Sequence, residues 1–278
     1  MKIATVGKGG SGKTTIAGTL ARIFAGEGRN ILAIDGDPNP NLALTLGMSR
    51  DDADRISYIP TSVMRIANSQ DGVAFLELTM PKDEVMRQFS ARAAPNVDLL
   101  VMGQPAHGSA GSGCMCGSHR AVRGLIAELT SYGEHTITDM EAGLEHLKRG
   151  TARHVDMMLI VAEPYYRSLE AASRTHALAT ELAIPFVRVV ANKVRNADDR
   201  KAIDAYCQQH NMEIIGTVPQ DEALVEAERM AMAPYDFAPA SPAVQSIRAM
   251  ASVIDGLALT LPVKSAGMSA GAPAQPGA

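Results

Sequence analysis

The sequence predicts an α/β fold, a single doubly wound and mostly parallel sheet with helices on both faces. Three observations predict it. The chain opens with an apolar run, residues 3–6, that passes through a glycine-rich turn directly into a helical pattern from Lys13. Apolar runs of strand length then alternate with helical patterns as far as residue 257, the rhythm of parallel strands joined by crossover helices. Several of these runs end in Asp or Asn (Asp35, Asp139, Asn192), at the edge where such sheets collect ligand groups.

Residues 3–6 read as a buried strand and 13–25 as a helix with Ile16, Leu20, Ile23 and Phe24 on its apolar side, stopped by Gly26-Glu27-Gly28. A second strand over 30–34 delivers Asp35-Gly36-Asp37-Pro38, and two strands around one helix imply a right-handed parallel crossover. Short helices are expected at 42–46 and 82–89, while the rest of 41–95 carries no clear period. Strands follow at 97–102 and 135–140, with a Gly/Ser-rich loop over 103–117 and a helix over 120–129 between them. The second half predicts strands at 155–162, 186–191 and 213–218, and helices at 168–182, 200–209, 222–232 and 242–257. Residues 1–261 form one expected domain, and 262–278, rich in Ala, Gly, Pro and Ser, an expected disordered tail.

The 278 residues are 46% hydrophobic, enough to bury a sizeable core. A net charge of −4 argues against a generic nucleic-acid binder, so no nucleic-acid partner is expected. No apolar run reaches the roughly 18–20 residues of a membrane span, and no membrane partner is expected. Residues 2–6 lead straight into the glycine turn, so no signal peptide is expected. With only three cysteines, metal or redox chemistry is favoured over a disulfide framework, and the expected location is cytoplasmic.

Gly7 to Thr14 satisfies G-x-x-x-x-G-K-[ST], the phosphate-binding loop. Its glycines let backbone amides of Gly9, Gly10, Ser11 and Gly12 converge on anionic oxygens, and the helix opening at Lys13-Thr14-Thr15 aims its positive end at them. Lys13 is assigned to the β- and γ-phosphates of ATP and the Thr14 hydroxyl to Mg²⁺. Lys8 adds a second cation that only a polyphosphate would balance. Asp35 and Asp37, two apart at a strand end, divide two tasks between them: one holds Mg²⁺ through water, the other orients the attacking water. Asp139 is the expected second-strand Mg²⁺ carboxylate, and Gly143 can offer an amide to the γ-phosphate. Asn192 and Lys193 suit the adenine edge and face, with Pro219 beside the same base pocket.

Cys114-Met115-Cys116 is the other constellation. In an extended segment both thiolates point the same way and can grip one soft ion. The remaining ligands come from His107 or His119, from Met115, or from a second copy of the chain. A two-fold axis would make a Cys₄ site that suits zinc, nickel or a cluster. A local disulfide would be strained, and Cys207, in an amphipathic helix, reads as core.

The motifs together resemble a known family. Lys8-Gly-Gly-x-Gly-Lys-Thr-Thr is similar to the deviant phosphate loop of the group containing MinD, ParA and nitrogenase iron protein. Asp35-Gly-Asp-Pro, the Cys114-x-Cys116 pair, the run from Asp139 to Ala152, Glu163-Pro and Asn192-Lys-Val-Arg-Asn look like the CooC-type accessory ATPases, which insert nickel into carbon monoxide dehydrogenase. The resemblance implies an ATP-driven homodimer in which Lys8 reaches the partner's nucleotide and the two Cys-x-Cys segments meet around one metal, nickel or zinc. It also implies that Asp37 acts on the attacking water and that Asp35 and Asp139 support Mg²⁺. Glu141 departs from the family pattern, which carries glycine there. Two competing readings are a positioning or partition ATPase and an iron–sulfur reductase. An Ala/Gly/Pro-rich C-terminus and an acidic balance disfavour the first, and one tight cysteine pair in place of two separated cysteines disfavours the second.

Overall fold

A computed structural model describes residues 1–37, 39–68, 74–102, 135–140 and 155–261. The predicted loop at 103–117, the helix at 120–129 and the tail at 262–278 lie outside the described residues, as do Cys114, Cys116 and Gly143.

Ten strands are described: β1 (Lys2–Gly7), β2 (Ile31–Asp35), β3 (Met64–Asn68), β4 (Ala74–Leu78), β5 (Ala91–Ala94), β6 (Val97–Val101), β7 (His135–Asp139), β8 (Met157–Ala162), β9 (Phe186–Val194) and β10 (Ile214–Pro219). Eight make one sheet in the order β10-β9-β8-β1-β7-β2-β6-β5, parallel throughout except at the β5 edge, and β3 and β4 form a separate antiparallel pair. The helices are α1 (Lys13–Gly26), α2 (Leu42–Leu46), α3 (Arg50–Ala53), α4 (Lys82–Phe89), α5 (Tyr166–Glu181), α6 (Ala197–Gln209), α7 (Glu222–Arg229), α8 (Pro234–Phe237) and α9 (Pro242–Ala258).

Both faces of the sheet are buried, so its strands read as continuous apolar runs. Alternate residues serve opposite cores. Ala4, Leu32, Ile34, Met158 and Ile160 pack on the side that holds α4, α5 and α6, while Ile3, Ile31, Ala33, Met157 and Leu159 pack with α1, α2 and α9. Full burial of such side chains stabilises by roughly 1.5–3 kcal/mol each, which fixes the sheet as the rigid frame of the site.

Caps explain where the boundaries differ from the periodicity. α6 starts at Ala197, not Arg200, because the Asn196 side chain accepts the amides of Asp198 and Asp199 at 3.0 and 2.9 Å. α7 stops at Arg229, short of the predicted Met232, and Ala231 then takes a left-handed φ of 51°. α9 begins as expected, with Ser241 capping the Val244 amide and Pro242 in the first turn. The 41–95 stretch holds α3, the β3–β4 pair and β5 besides the two helices that were predicted.

Candidate nucleotide site

The strand order brings the predicted residues together. β1 lies between β7 and β8, and β7 lies between β1 and β2. The phosphate loop therefore leaves the sheet beside the ends of β2, β7 and β8, with β9 next beyond. Register pairs Asp35 with Asp139 and Thr5 with Asp139.

On the β2–β7 side stand two buried carboxylates. Asp139 accepts the Thr14 hydroxyl at 2.5 Å through Oδ2 and the Thr5 hydroxyl at 3.0 Å through Oδ1. Burial pushes its pKa up to about 6, against the opposing pull of those two hydroxyls. Asp35 is wholly buried, and burial together with the Asp139 charge pushes it to about 7. Its Oδ1 accepts the Asp37 amide at 3.1 Å, and its Oδ2 accepts the amides of Asn41 and Leu42 at 3.0 and 2.9 Å. Asp35 therefore anchors the whole turn from β2 into α2, a role the strand-end position did not disclose. Asp37 is half-buried in that turn and accepts the Asn39 amide at 2.9 Å.

The hydroxyl of Thr14 and the carboxylate of Asp139 are hard oxygen donors held against each other in a buried, anion-rich setting. That donor set fits Mg²⁺, with Asp35 behind Asp139. Mg²⁺ held there would offset the negative charge of the carboxylate pair.

On the other side, β9 holds the loop by its carbonyls. The Asn192 side-chain amide donates to the Ser11 carbonyl at 2.7 Å, and the Lys193 ammonium donates to the Gly10 carbonyl at 2.6 Å. Lys13, itself buried, points back toward the Lys8 carbonyl at 3.5 Å. Two of the loop's carbonyls are thus taken up by β9, and the Ser11 amide donates to the Lys8 carbonyl at 3.1 Å, which fixes the loop's conformation. Gly12 has a left-handed φ of 95°, and a Cβ there would lie 2.4 Å from the Asn192 nitrogen. Only glycine serves both demands.

Lys193 also pairs with Glu163 at 3.1 Å, and Glu163 accepts the Tyr165 hydroxyl at 2.5 Å. That hydrogen bond pushes the Tyr165 pKa up to about 12. The ammonium of the exposed Lys8 lies over the Tyr165 ring, 5.1 Å from its centroid. A chain of contacts thus runs from Gly10 to Lys8 outside the loop. Pro219 ends β10, the strand beyond β9.

A cleft of about 440 Å³ opens from the loop. Gly10, Gly12, Lys13, Thr14 and Thr15 line its phosphate end. Lys193, Leu224, Glu228, Met232 and Pro234 form one wall and Asn41, Leu44 and Thr45 another. Leu224, Met232, Pro234 and the α2 residues carry no motif, so sequence reading missed them. An apolar end beyond a phosphate-binding end is the shape that a nucleotide requires.

Comparison with known proteins agrees. The model of the CobQ/CobB/MinD/ParA nucleotide binding domain matches residues 2–235. The carbon monoxide dehydrogenase accessory protein CooC of Rhodospirillum rubrum is 39% identical over 248 residues, 86% of this chain and 91% of that one. Among solved structures, the septum site-determining protein MinD of Pyrococcus horikoshii, complexed with Mg-ADP, superposes with a TM-score of 0.65 at 18% identity, covering 92% of this chain and 96% of that one. A ParA family ATPase of Chlorobium tepidum superposes at 0.67 and 22% identity, covering 90% and 97%. Both share the fold. A phosphate loop braced by two strand ends, beside a buried carboxylate pair, in a chain with these relatives, makes this protein an ATPase of the CobQ/CobB/MinD/ParA nucleotide-binding family, with CooC among its relatives.

Proposed function

We propose that this ATPase is a dimeric metallochaperone that binds nickel through Cys114 and Cys116 and assists its insertion into carbon monoxide dehydrogenase in the cytoplasm. The observation that carries the reading is the 39% identity to CooC across nearly the full length of both chains. The Cys-x-Cys pair supplies the chemistry, because two thiolates from each of two chains make a soft four-coordinate site for nickel, with zinc as a competitor.

The loop residues divide the work. The amides of Gly9 to Gly12 and the Lys13 ammonium bind the ATP phosphates. Thr14 and Asp139 would hold Mg²⁺, which would supply positive charge to offset that on the transferred phosphoryl group. Asp37 orients the attacking water, and Gly143 offers its amide to the γ-phosphate. Asn192, Lys193 and Pro219 stand on the base side. Lys8 reaches the partner's nucleotide, its side chain being exposed with the ammonium over the Tyr165 ring.

Nickel binding at equilibrium tests the proposal. The C114A/C116A protein should bind ATP as the wild type does and lose stoichiometric nickel binding. Nickel retained by that double variant removes the metal site from the account. Retention on liposomes or DNA that depends on ATP would instead favour a positioning ATPase.

A further inference from the structure

α1 begins at Lys13 beneath the phosphates and carries, nine residues on, an arginine that none of the nucleotide chemistry uses. Nine residues of helix span about 13 Å, which sets Arg22 that far along α1 from the phosphate loop. Its side chain is only 13% exposed. The guanidinium donates to both oxygens of Asp236, at 2.8 and 2.7 Å, and to the Leu46 carbonyl at 2.5 Å. It also lies over the Tyr235 ring, 5.0 Å from the centroid, and Arg248 lies 5.7 Å from the same centroid.

These partners belong to the two opposing walls. Leu46 ends α2, whose Leu44 and Thr45 line the cleft on one side. Asp236 and Tyr235 sit in α8, which opens at Pro234, directly after the lining residues Ala231 and Met232. A single planar group thus ties one wall to the other. Gly47 confirms how tightly the tie is fitted. It takes a left-handed φ of 103°, and a Cβ there would lie 2.6 Å from the Arg22 nitrogen and 3.1 Å from the Asp236 carboxylate. The turn that ends α2 is shaped around the arginine.

We infer that Arg22 is a positioning residue for the base of the nucleotide, setting the separation of α2 and the 231–236 segment so that Leu224, Met232 and Pro234 close on an adenine. The inference rests on the reading that this apolar end takes the base. Arg22 touches none of the groups that hold phosphate or Mg²⁺, so the clamp acts on ligands that carry a base and is blind to those that do not. Lysine cannot replace it, because a point charge cannot serve a carboxylate fork and a carbonyl in one plane.

Calorimetric titration of the full chain with ATP, ADP and magnesium tripolyphosphate tests this. R22K and D236N should each weaken ATP and ADP about tenfold while tripolyphosphate changes by less than about twofold. Turnover at saturating ATP should stay within about twofold, so that the loss appears in KM. D236N alters a half-exposed partner on a short surface helix and keeps the test open if R22K folds poorly. Equal weakening of ATP and tripolyphosphate would reduce Arg22 to a general structural role, and unchanged ATP affinity would overturn the clamp outright. If the wild type binds tripolyphosphate as tightly as ATP, the base-end reading itself fails.

Discussion

On one side of the phosphate loop, β2 and β7 end in two buried carboxylates, Asp35 and Asp139, whose hydrogen-bond donors among the described residues are hydroxyls and backbone amides, with the Lys13 charge acting on Asp139 from nearby. On the other, β8 and β9 end in Glu163, Asn192 and Lys193, whose charges and dipoles are spent on one another and on the loop's carbonyls. The first flank concentrates buried negative charge, a setting that suits a divalent cation. The second is self-satisfied and holds geometry. The loop can present its amides to phosphate because the second flank is settled, and it can drive chemistry because the first is not.

Substitutions should separate the flanks. If Asp139 holds Mg²⁺ as proposed, Asp139→Asn should lower kcat about 10²-fold or more, with modest change in metal-free nucleotide binding. Lys193→Ala leaves the carboxylates intact but frees the Gly10 carbonyl. It should weaken ATP about fivefold to tenfold with a smaller change in kcat. Steady-state kinetics with Mg²⁺ varied reads both, and a kcat loss in Lys193→Ala as deep as in Asp139→Asn would erase the distinction.

Smaller, but more diagnostic, is the pH dependence of the ligand-free protein. Asp35 is raised from 3.8 to about 7 and Asp139 to about 6, so between about pH 4 and 7 the folded state binds more protons than the unfolded one. These two groups therefore stabilise the fold on acidification and cost stability as pH rises through that window. Asp35→Asn cannot titrate. Its Tm relative to wild type should climb from pH 5 to pH 8, and a difference that stays flat would mean the pair is not strained. Mg²⁺ with nucleotide should remove the slope, because bound metal takes the proton's place.

The phosphate-loop side was largely legible from residues close in sequence. Gly7 to Thr15, Asp35, Asp37 and Asp139 declare themselves because local motifs combine with strand ends. The role of Asp35 as the anchor of α2 was less visible, since the amides it accepts come from residues of no special type. The far end was silent. Arg22 and Asp236 are 214 positions apart, and no local pattern records that pairing. Ala91–Ala94 was missed for a different reason: alanines carry helix propensity, yet the free edge of β6 and the Arg92–Asp98 ion pair make it a strand. Asn192 was read for its chemistry toward a base. The structure commits its amide nitrogen to the Ser11 carbonyl of the loop.

In the proposed function, ATP closes two chains around one metal. Nickel stoichiometry measured together with molecular mass, with and without ATP, tests it most directly. The account predicts a dimer that holds one nickel per two chains in ATP, with both nickel and mass affected by C114A/C116A. One nickel per chain in a monomer, indifferent to ATP, would contradict it.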